Sequence, residues 1–164
     1  MAQGKTKASA PVATADRSAF LLARLGRVAS RQLNDRLAET GLKPTQVAIL
    51  MTLRDLGPLS QQELGERLRI DPSNMVAFLN ALEDEGFLVR KRDPDDRRRH
   101  IVEITQQGID RCPVCFEPVS ALEDELLAGL SAQEQRVLNR MLSRILATMS
   151  VEEPGEAELG SDRS

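Results

Sequence analysis

The 164-residue sequence predicts a mostly α-helical fold with one small β-hairpin. Apolar residues recur mainly at intervals of three and four, as they do along one face of a helix. Aromatic residues make up only 2% of the chain, so aliphatic side chains must supply most of the core. One stretch, residues 87–105, contains two runs that alternate apolar and polar residues in the manner of β-strands.

The first two predicted helices are bounded by glycine and proline. The first covers residues 16–40 and ends at Gly41, and the second starts at Pro44 and closes at Gly57. The apolar stripe of the first helix consists of Leu22, Leu25, Ala29, Leu33 and Leu37.

Two capping signals then predict a helix-turn-helix. Ser60 and Glu63 have the spacing of a capping box, which starts a short third helix. Asp71 caps a fourth helix, which Pro72 opens and Gly86 terminates. Helices joined by such a tight turn are typical of helix-turn-helix units.

The alternating stretch predicts a hairpin, and two helices follow it. The strands are residues 87–92 and 99–105, around a turn-forming segment, DPDDRR. A fifth helix runs to about Leu130, with kinks expected near its two prolines, Pro113 and Pro118, because proline removes a helical amide. A second capping box opens a sixth helix with its own apolar stripe.

The net charge of −3 is unevenly distributed along the chain. Residues 1–57 carry +5, residues 58–105 carry −2 and residues 106–164 carry −6. Six basic and three acidic residues nevertheless lie within residues 90–99, beside a helix that has no charge over residues 72–82. An uncharged helix can approach base edges in the major groove, and guanidinium groups suit phosphates and the minor groove. The overall acidity therefore does not exclude a DNA partner.

Residues 42–108 resemble the winged helix-turn-helix of the MarR family of transcriptional regulators. The core of the resemblance is LSQQELGERLRIDPSNMVAFLNALEDEGFLVRKRDPDDRRRHIVEITQQG, and its most specific part is the wing, LEDEGFLVRKRDPDDRRRHIVEIT. The flanking helices match the family's layout over about residues 16–149. The resemblance implies a mostly α fold with a small β-hairpin wing, in which a winged helix-turn-helix joins a helical dimerisation region.

Composition and the resemblance together divide the chain into five predicted regions. These are a disordered N-terminal tail (1–15), a dimerisation helix (16–41), a winged helix-turn-helix DNA-binding module (42–105), C-terminal dimerisation helices (106–150) and a disordered acidic tail (151–164).

By the same resemblance, the fourth helix is the recognition helix, and Asp96 orients Arg98 for the minor groove. Val76 and Ala77 stand where many members carry Thr and Arg, so we expect base contacts from the polar residues of this helix. The predicted DNA-binding residues are Ser60, Gln61, Gln62, Ser73, Asn74, Ala77, Asn80, Arg90, Asp96, Arg97, Arg98 and Arg99.

The apolar stripes of the first and last helices predict a dimer interface, because such stripes must be buried somewhere. The alternative is that these helices fold back on their own chain. A two-fold dimer implies a pseudo-palindromic operator in double-stranded DNA, with recognition helices about 34 Å apart. The predicted interface residues are Leu22, Leu25, Leu138, Met141, Leu142 and Ile145.

The predicted function is a homodimeric repressor whose operator binding is relieved by a small-molecule effector. The resemblance implies that this effector is anionic or phenolic. One alternative is a protein-interaction or dimerisation module whose basic hairpin meets an acidic partner. Another is a thiol-redox-responsive regulator acting through Cys112 and Cys115, although their position on a helix favours buried, inert thiols.

A basic stripe on the first helix has several interpretations. Arg24, Arg27 and Arg31 form a solvated face, pair with the acidic residues 123–125, or form an anionic ligand site.

Other functional classes lack the residues they need. No nucleophile with a positioned base, no glycine-rich phosphate loop and no zinc-protease motif occurs, so we expect neither an enzyme nor a cofactor. One histidine and two cysteines are too few for a typical zinc site, so no metal is expected. Without a run of about 18 apolar residues or a signal peptide, we expect a cytoplasmic protein with no membrane partner.

Overall fold

The computed structural model describes residues 17–93 and 99–148. This part of the chain confirms the predicted mostly helical fold with a β-hairpin. Its elements are α1 (Ser18–Leu37), α2 (Pro44–Leu56), β1 (Leu59–Ser60), α3 (Gln61–Leu68), α4 (Pro72–Asp84), β2 (Leu88–Arg92), β3 (His100–Ile104), α5 (Gln106–Leu127) and α6 (Ala132–Thr148), with a short 3₁₀ turn at Ala38–Thr40.

The capping signals act where the sequence predicts them. The Ser60 hydroxyl accepts the Glu63 amide at 3.2 Å, and the Glu63 carboxylate accepts the Ser60 amide at 2.9 Å. Asp71 caps α4, which ends before Gly86, a residue with a φ of +75° that glycine adopts at little cost. These caps fix where α3 and α4 begin and where α4 ends.

The sheet has three antiparallel strands in the order β1-β3-β2. The predicted hairpin is present, with Leu88 opposite Ile104 and Arg92 opposite His100. Strand β1, in which Leu59 lies opposite Val102, is not predicted by the sequence. A two-residue strand adjoining a helix cap is too short to show alternation.

The hydrophobic core lies between α2, α3, α4, the sheet and the first half of α5. Its largest fully buried side chains are Leu37, Val47, Ile49, Leu50, Leu53, Leu64, Met75, Leu79, Leu82, Leu88, Val102 and Cys115. Most of them belong to residues 42–105, the region predicted to form a compact module.

Helix α5 crosses the base of the hairpin at Gly108. A Cβ at this position would lie 2.1 Å from the Phe87 carbonyl oxygen and 2.7 Å from Ile104 Cγ1, so the close approach requires glycine. The helix then continues through both predicted kink positions, Pro113 and Pro118, as one uninterrupted helix. It thereby connects the module to α6.

The terminal helices are much more exposed than the module. Only Leu37 is buried in α1, and no residue of α6 is buried within the described chain. An ion pair of 2.5 Å between Arg36 and Glu125 joins α1 to α5. Within residues 17–93 and 99–148, no helix is apolar over a length that would cross a membrane.

Candidate nucleic-acid interface

Helix α4 has one face in the core and one face exposed. Met75, Leu79 and Leu82 are buried, which leaves a small-residue and amide surface on the other side. The exposed residues of this surface are Ser73, Val76, Ala77, Asn80 and Ala81. The predicted recognition helix therefore presents an uncharged surface.

Asp71 binds both polar residues at the start of α4. Its Oδ1 accepts the backbone amides of Ser73 at 2.9 Å and Asn74 at 3.0 Å, and the Ser73 hydroxyl at 2.5 Å. Its Oδ2 accepts the side-chain amide of Asn74. The hydrogen bond from the Ser73 side chain and that from the Asn74 backbone hold the pKa of Asp71 below its usual value. The carboxylate is therefore ionised at neutral pH.

Arg90 connects the hairpin to α4. Its guanidinium donates to Glu83 Oε2, with Nε at 2.9 Å, and to Asn80 Oδ1 at 2.7 Å. Its backbone amide also donates to Glu83 Oε1, at 3.0 Å. The side-chain hydrogen bond from Arg90 lowers the pKa of Glu83 despite partial desolvation. These bonds fix the angle between α4 and the hairpin.

The remaining described basic residues of the hairpin lie at its surface. Lys91 pairs with Glu103 across the strands, and Arg92 and Arg99 are exposed. An open groove lies at the surface where α3, α4 and the hairpin meet. It is lined by Gln61, Val76, Glu83, Arg90 and His100.

Several predicted DNA-binding residues are buried, bonded within their own helix, or outside the described part of the chain. Ser60 is 2% exposed and its hydroxyl also donates to Glu63, so its side chain is a helix cap rather than a surface donor. Gln62 is exposed but bonds to Glu66 at 2.9 Å on the same helix. Asp96, Arg97 and Arg98, the predicted wing tip, lie outside the described residues.

The predicted interface residues lie on exposed surfaces of the terminal helices. Leu25 is 45% exposed on α1, and Met141 is 56% exposed on α6. Leu22 and Ile145 are also exposed, whereas Leu138 and Leu142 are half-buried.

The basic stripe of α1, Arg24, Arg27 and Arg31, is exposed to solvent, as one of its interpretations requires. Arg31 lies 3.9 Å from Asp35 on its own helix, and Arg36, outside the predicted stripe, pairs with Glu125 of the acidic segment.

Both cysteines are free thiols within the core. Burial raises the pKa of Cys112 and of Cys115. The neighbouring contact, between the Arg54 guanidinium and the Phe116 ring at 4.3 Å, belongs to the packing of α2 on α5. In the part of the chain that the structure describes, no group of His, Cys, Asp and Glu is arranged to hold a metal ion.

Sequence reasoning missed two acidic residues that organise this surface. Asp71 was predicted only as a cap, although its spacing to Ser73 and Asn74 allows it to bind their side chains as well. The role of Glu83 is not evident from sequence, because its partner Arg90 lies seven residues away, across a turn between a helix and a strand. That spacing gives no periodic signal.

Helix α4, exposed beside a basic hairpin and supported by α3, has the arrangement of a winged-helix DNA-binding protein. Residues 42–100 match the family model described as the MarR family. The chain is also 30% identical over 126 residues to the HTH-type transcriptional regulator MhqR of Bacillus subtilis, which covers 77% of this chain and 87% of MhqR. The chain belongs to the MarR family of DNA-binding transcriptional regulators.

Solved structures agree with this assignment. CouR from Rhodococcus jostii bound to p-coumaroyl-CoA is 26% identical with a TM-score of 0.77, over 87% of this chain and 100% of that one. A mutant MarR from E. coli complexed with operator DNA is 26% identical with a TM-score of 0.68, over 78% of this chain and 92% of that one.

Proposed function

We propose that this regulator is a homodimeric repressor, rather than an enzyme, whose operator binding is relieved by a small-molecule effector. The observation that carries the proposal is the apolar surface left exposed on α1 and α6. Its members are Phe20, Leu21, Leu22, Leu25, Val28, Met141, Ile145 and Leu146. Along α1 these side chains recur at intervals of three and four, and a soluble protein rarely leaves such an apolar stripe in water.

A second copy of the chain is the proposed occupant of this surface. In our division of the chain, residues 16–41 and 106–150 form the dimerisation region and residues 42–105 the DNA-binding module. Two-fold symmetry then places two α4 helices about 34 Å apart, one turn of DNA. The operator is therefore a pseudo-palindrome.

The proposed DNA contacts follow from exposure. Ser73, Asn74 and Ala77 face the bases, whereas the guanidinium of Arg90 is committed to Glu83 and Asn80 and fixes the hairpin. Arg97, Arg98 and Arg99 contact phosphates and the minor groove, with Arg98 oriented by Asp96.

The proposed effector binds where the terminal helices meet the module. CouR, which was solved with p-coumaroyl-CoA, a phenolic and anionic molecule, supports the proposed chemical class of the effector. At this junction Arg111 donates to the Thr40 carbonyl at 2.5 Å, while its buried Nε has no hydrogen-bond partner among the described residues. An anion here would gain a charge-assisted hydrogen bond. A ligand that prefers a DNA-incompetent spacing of the two α4 helices lowers operator affinity by the ratio of its two affinities.

A gel-shift titration on the DNA upstream of the protein's own gene tests the regulator. We expect saturable binding to that fragment and a steep loss of affinity between 50 and 200 mM salt, as phosphate contacts require. Arg98→Ala should weaken binding at least tenfold without unfolding the protein. Arg140→Ala, the same change on exposed α6, is the matched control and should leave affinity unchanged.

The outcomes separate this function from its alternatives. Binding that ignores DNA sequence, or no DNA binding, would favour a protein-interaction module with a basic hairpin. Expression of a reporter from the bound promoter gives the sign of regulation, and a rise on deleting the protein supports a repressor. Release of the fragment by an anionic or phenolic member of a metabolite panel supports the effector, and weakened release from Arg111→Met would locate it.

A further inference from the structure

Two asparagines on α4 have different hydrogen-bonding environments. Asn80 Oδ1 accepts a hydrogen bond from Arg90, which leaves this oxygen one lone pair. Asn74 donates its side-chain amide to Asp71, and its Oδ1 has no partner among residues 17–93 and 99–148. Asn74 therefore offers a base an unshared acceptor, whereas Asn80 shares its acceptor with Arg90.

Asp71 sets the polarity of the residues that it binds. An ionised carboxylate accepts hydrogen bonds and cannot donate them, so the nitrogen of Asn74 must face it. For the same reason, the only hydroxyl hydrogen of Ser73 points to Asp71 Oδ1, 2.5 Å away. Ser73 can then only accept from DNA, while Asn74 offers its oxygen and one remaining N–H.

This polarity matches one base better than the others. An amide oxygen beside an N–H pairs with the N6 amino group and N7 of adenine in the major groove. An accepting hydroxyl likewise suits an amino group. Guanine presents two acceptors in this groove, and it is read by Arg or Lys, neither of which occurs in residues 72–82.

We propose that Asp71 determines base specificity: by fixing Ser73 and Asn74 as acceptors, it makes the first turn of α4 select adenine. This inference rests on the proposed role of α4 as the recognition helix. Asp71 acts through the two side chains as a positioning residue, and Asn74 makes the paired contact with adenine.

The test measures base preference rather than affinity alone. The full-length wild type and the Asn74→Ala variant are each used to select duplexes from randomised DNA. The position at which their base preferences differ is the one that Asn74 contacts, and we expect an adenine there. Asp71→Asn keeps a good helix cap but places an amino group opposite Asn74, whose amide must then reverse. The preference for adenine over guanine at that position should fall by roughly tenfold or more.

Further variants separate positioning from folding. Asp71→Ser, which caps the helix but does not reach Asn74, should lower the same preference. Asp71→Asn should have no further effect on that preference in an Asn74→Ala background, because the two changes act through one contact. Glu63→Gln makes the same acid-to-amide change at the start of α3 and should leave the ratio of adenine to guanine affinity unchanged.

Three results would overturn the inference. If Asp71→Asn lowers the affinity for adenine and guanine duplexes equally, Asp71 is only a helix cap and does not determine base preference. A guanine at the position sensitive to Asn74 would contradict the proposed polarity. If Ser73→Ala and Asn74→Ala retain full affinity and preference while the protein binds its operator, α4 is not the reading helix, and the inference fails with that assignment.

Discussion

The central module and the terminal helices differ in how far their apolar side chains are buried. In the module, Leu50 and Leu79 are 0% exposed, whereas Phe20 on α1 is 54% exposed and Met141 on α6 is 56% exposed. Burial of apolar surface is the main favourable term in folding. The module therefore gains the favourable free energy of apolar burial within its own chain. Helices α1 and α6 retain apolar surface that a second molecule can cover.

The largest expected effect is on the module core. Leu79→Ala should lower the free energy of unfolding by about 2–5 kcal/mol, because it removes a fully buried side chain and leaves a cavity. Chemical denaturation followed by circular dichroism measures this loss. Leu56→Ala, at a leucine that is 54% exposed, is the matched control, and an equal loss there would contradict the contrast between buried and exposed leucines.

The next effect should appear in assembly rather than in folding. Leu25→Asp puts a charge into the exposed stripe of α1, and symmetry would place it twice in a dimer. We expect the dimer dissociation constant to rise by roughly 10- to 100-fold, or about 1.4–2.8 kcal/mol, as measured by analytical ultracentrifugation.

Ser30→Asp adds the same charge at an exposed position on the other side of α1, about 140° around the helix from Leu25, and is the control for Leu25→Asp. If both variants dimerise as the wild type does, the apolar stripe is not the interface.

The module was also the region best predicted from sequence. The module contains local signals, namely the helix starts at Pro44 and Pro72 and the capping box at Ser60. Each can be recognised from the sequence without knowledge of the tertiary structure. The hairpin was predictable for the same reason, because alternation lies within each strand.

Contacts between distant segments were not predictable in this way. Strand β1 exists only because Leu59 pairs with Val102, 43 positions further along the chain. Arg36 was not in the predicted basic stripe, yet it reaches Glu125, and Arg90 was assigned to DNA although its partner is Glu83. Such pairs depend on how helices are placed in space, which residue spacing does not reveal.

A smaller effect concerns the contact that holds α4 to the hairpin. Hydrogen bonding to Arg90 lowers the folded-state pKa of Glu83 below its ordinary value of 4.5. The pair thus stabilises the fold above the unfolded-state pKa, and this contribution is lost as pH falls through the folded-state pKa. Because the pair is partly exposed, we expect about 1 kcal/mol or less.

Urea unfolding of the wild type and Glu83→Gln at several pH values tests this contribution. The difference in unfolding free energy should be largest near neutral pH and shrink below about pH 4.5. Asn80→Ala removes a partner of Arg90 that does not titrate, so its difference should be less dependent on pH. A Glu83→Gln difference that is constant with pH would contradict the ionic role.

The smallest expected effect is that of a thiol oxidant on operator binding. Cys112 is 2% and Cys115 is 0% exposed, and burial raises the pKa of both thiols, so little reactive thiolate is present at neutral pH. Labelling by a thiol reagent should be slow in the folded protein and fast in urea, and operator binding should not change after treatment. Loss of binding in the wild type but not in a Cys112→Ala, Cys115→Ala variant would instead support redox regulation, and would show that the module core opens far more readily than its burial indicates.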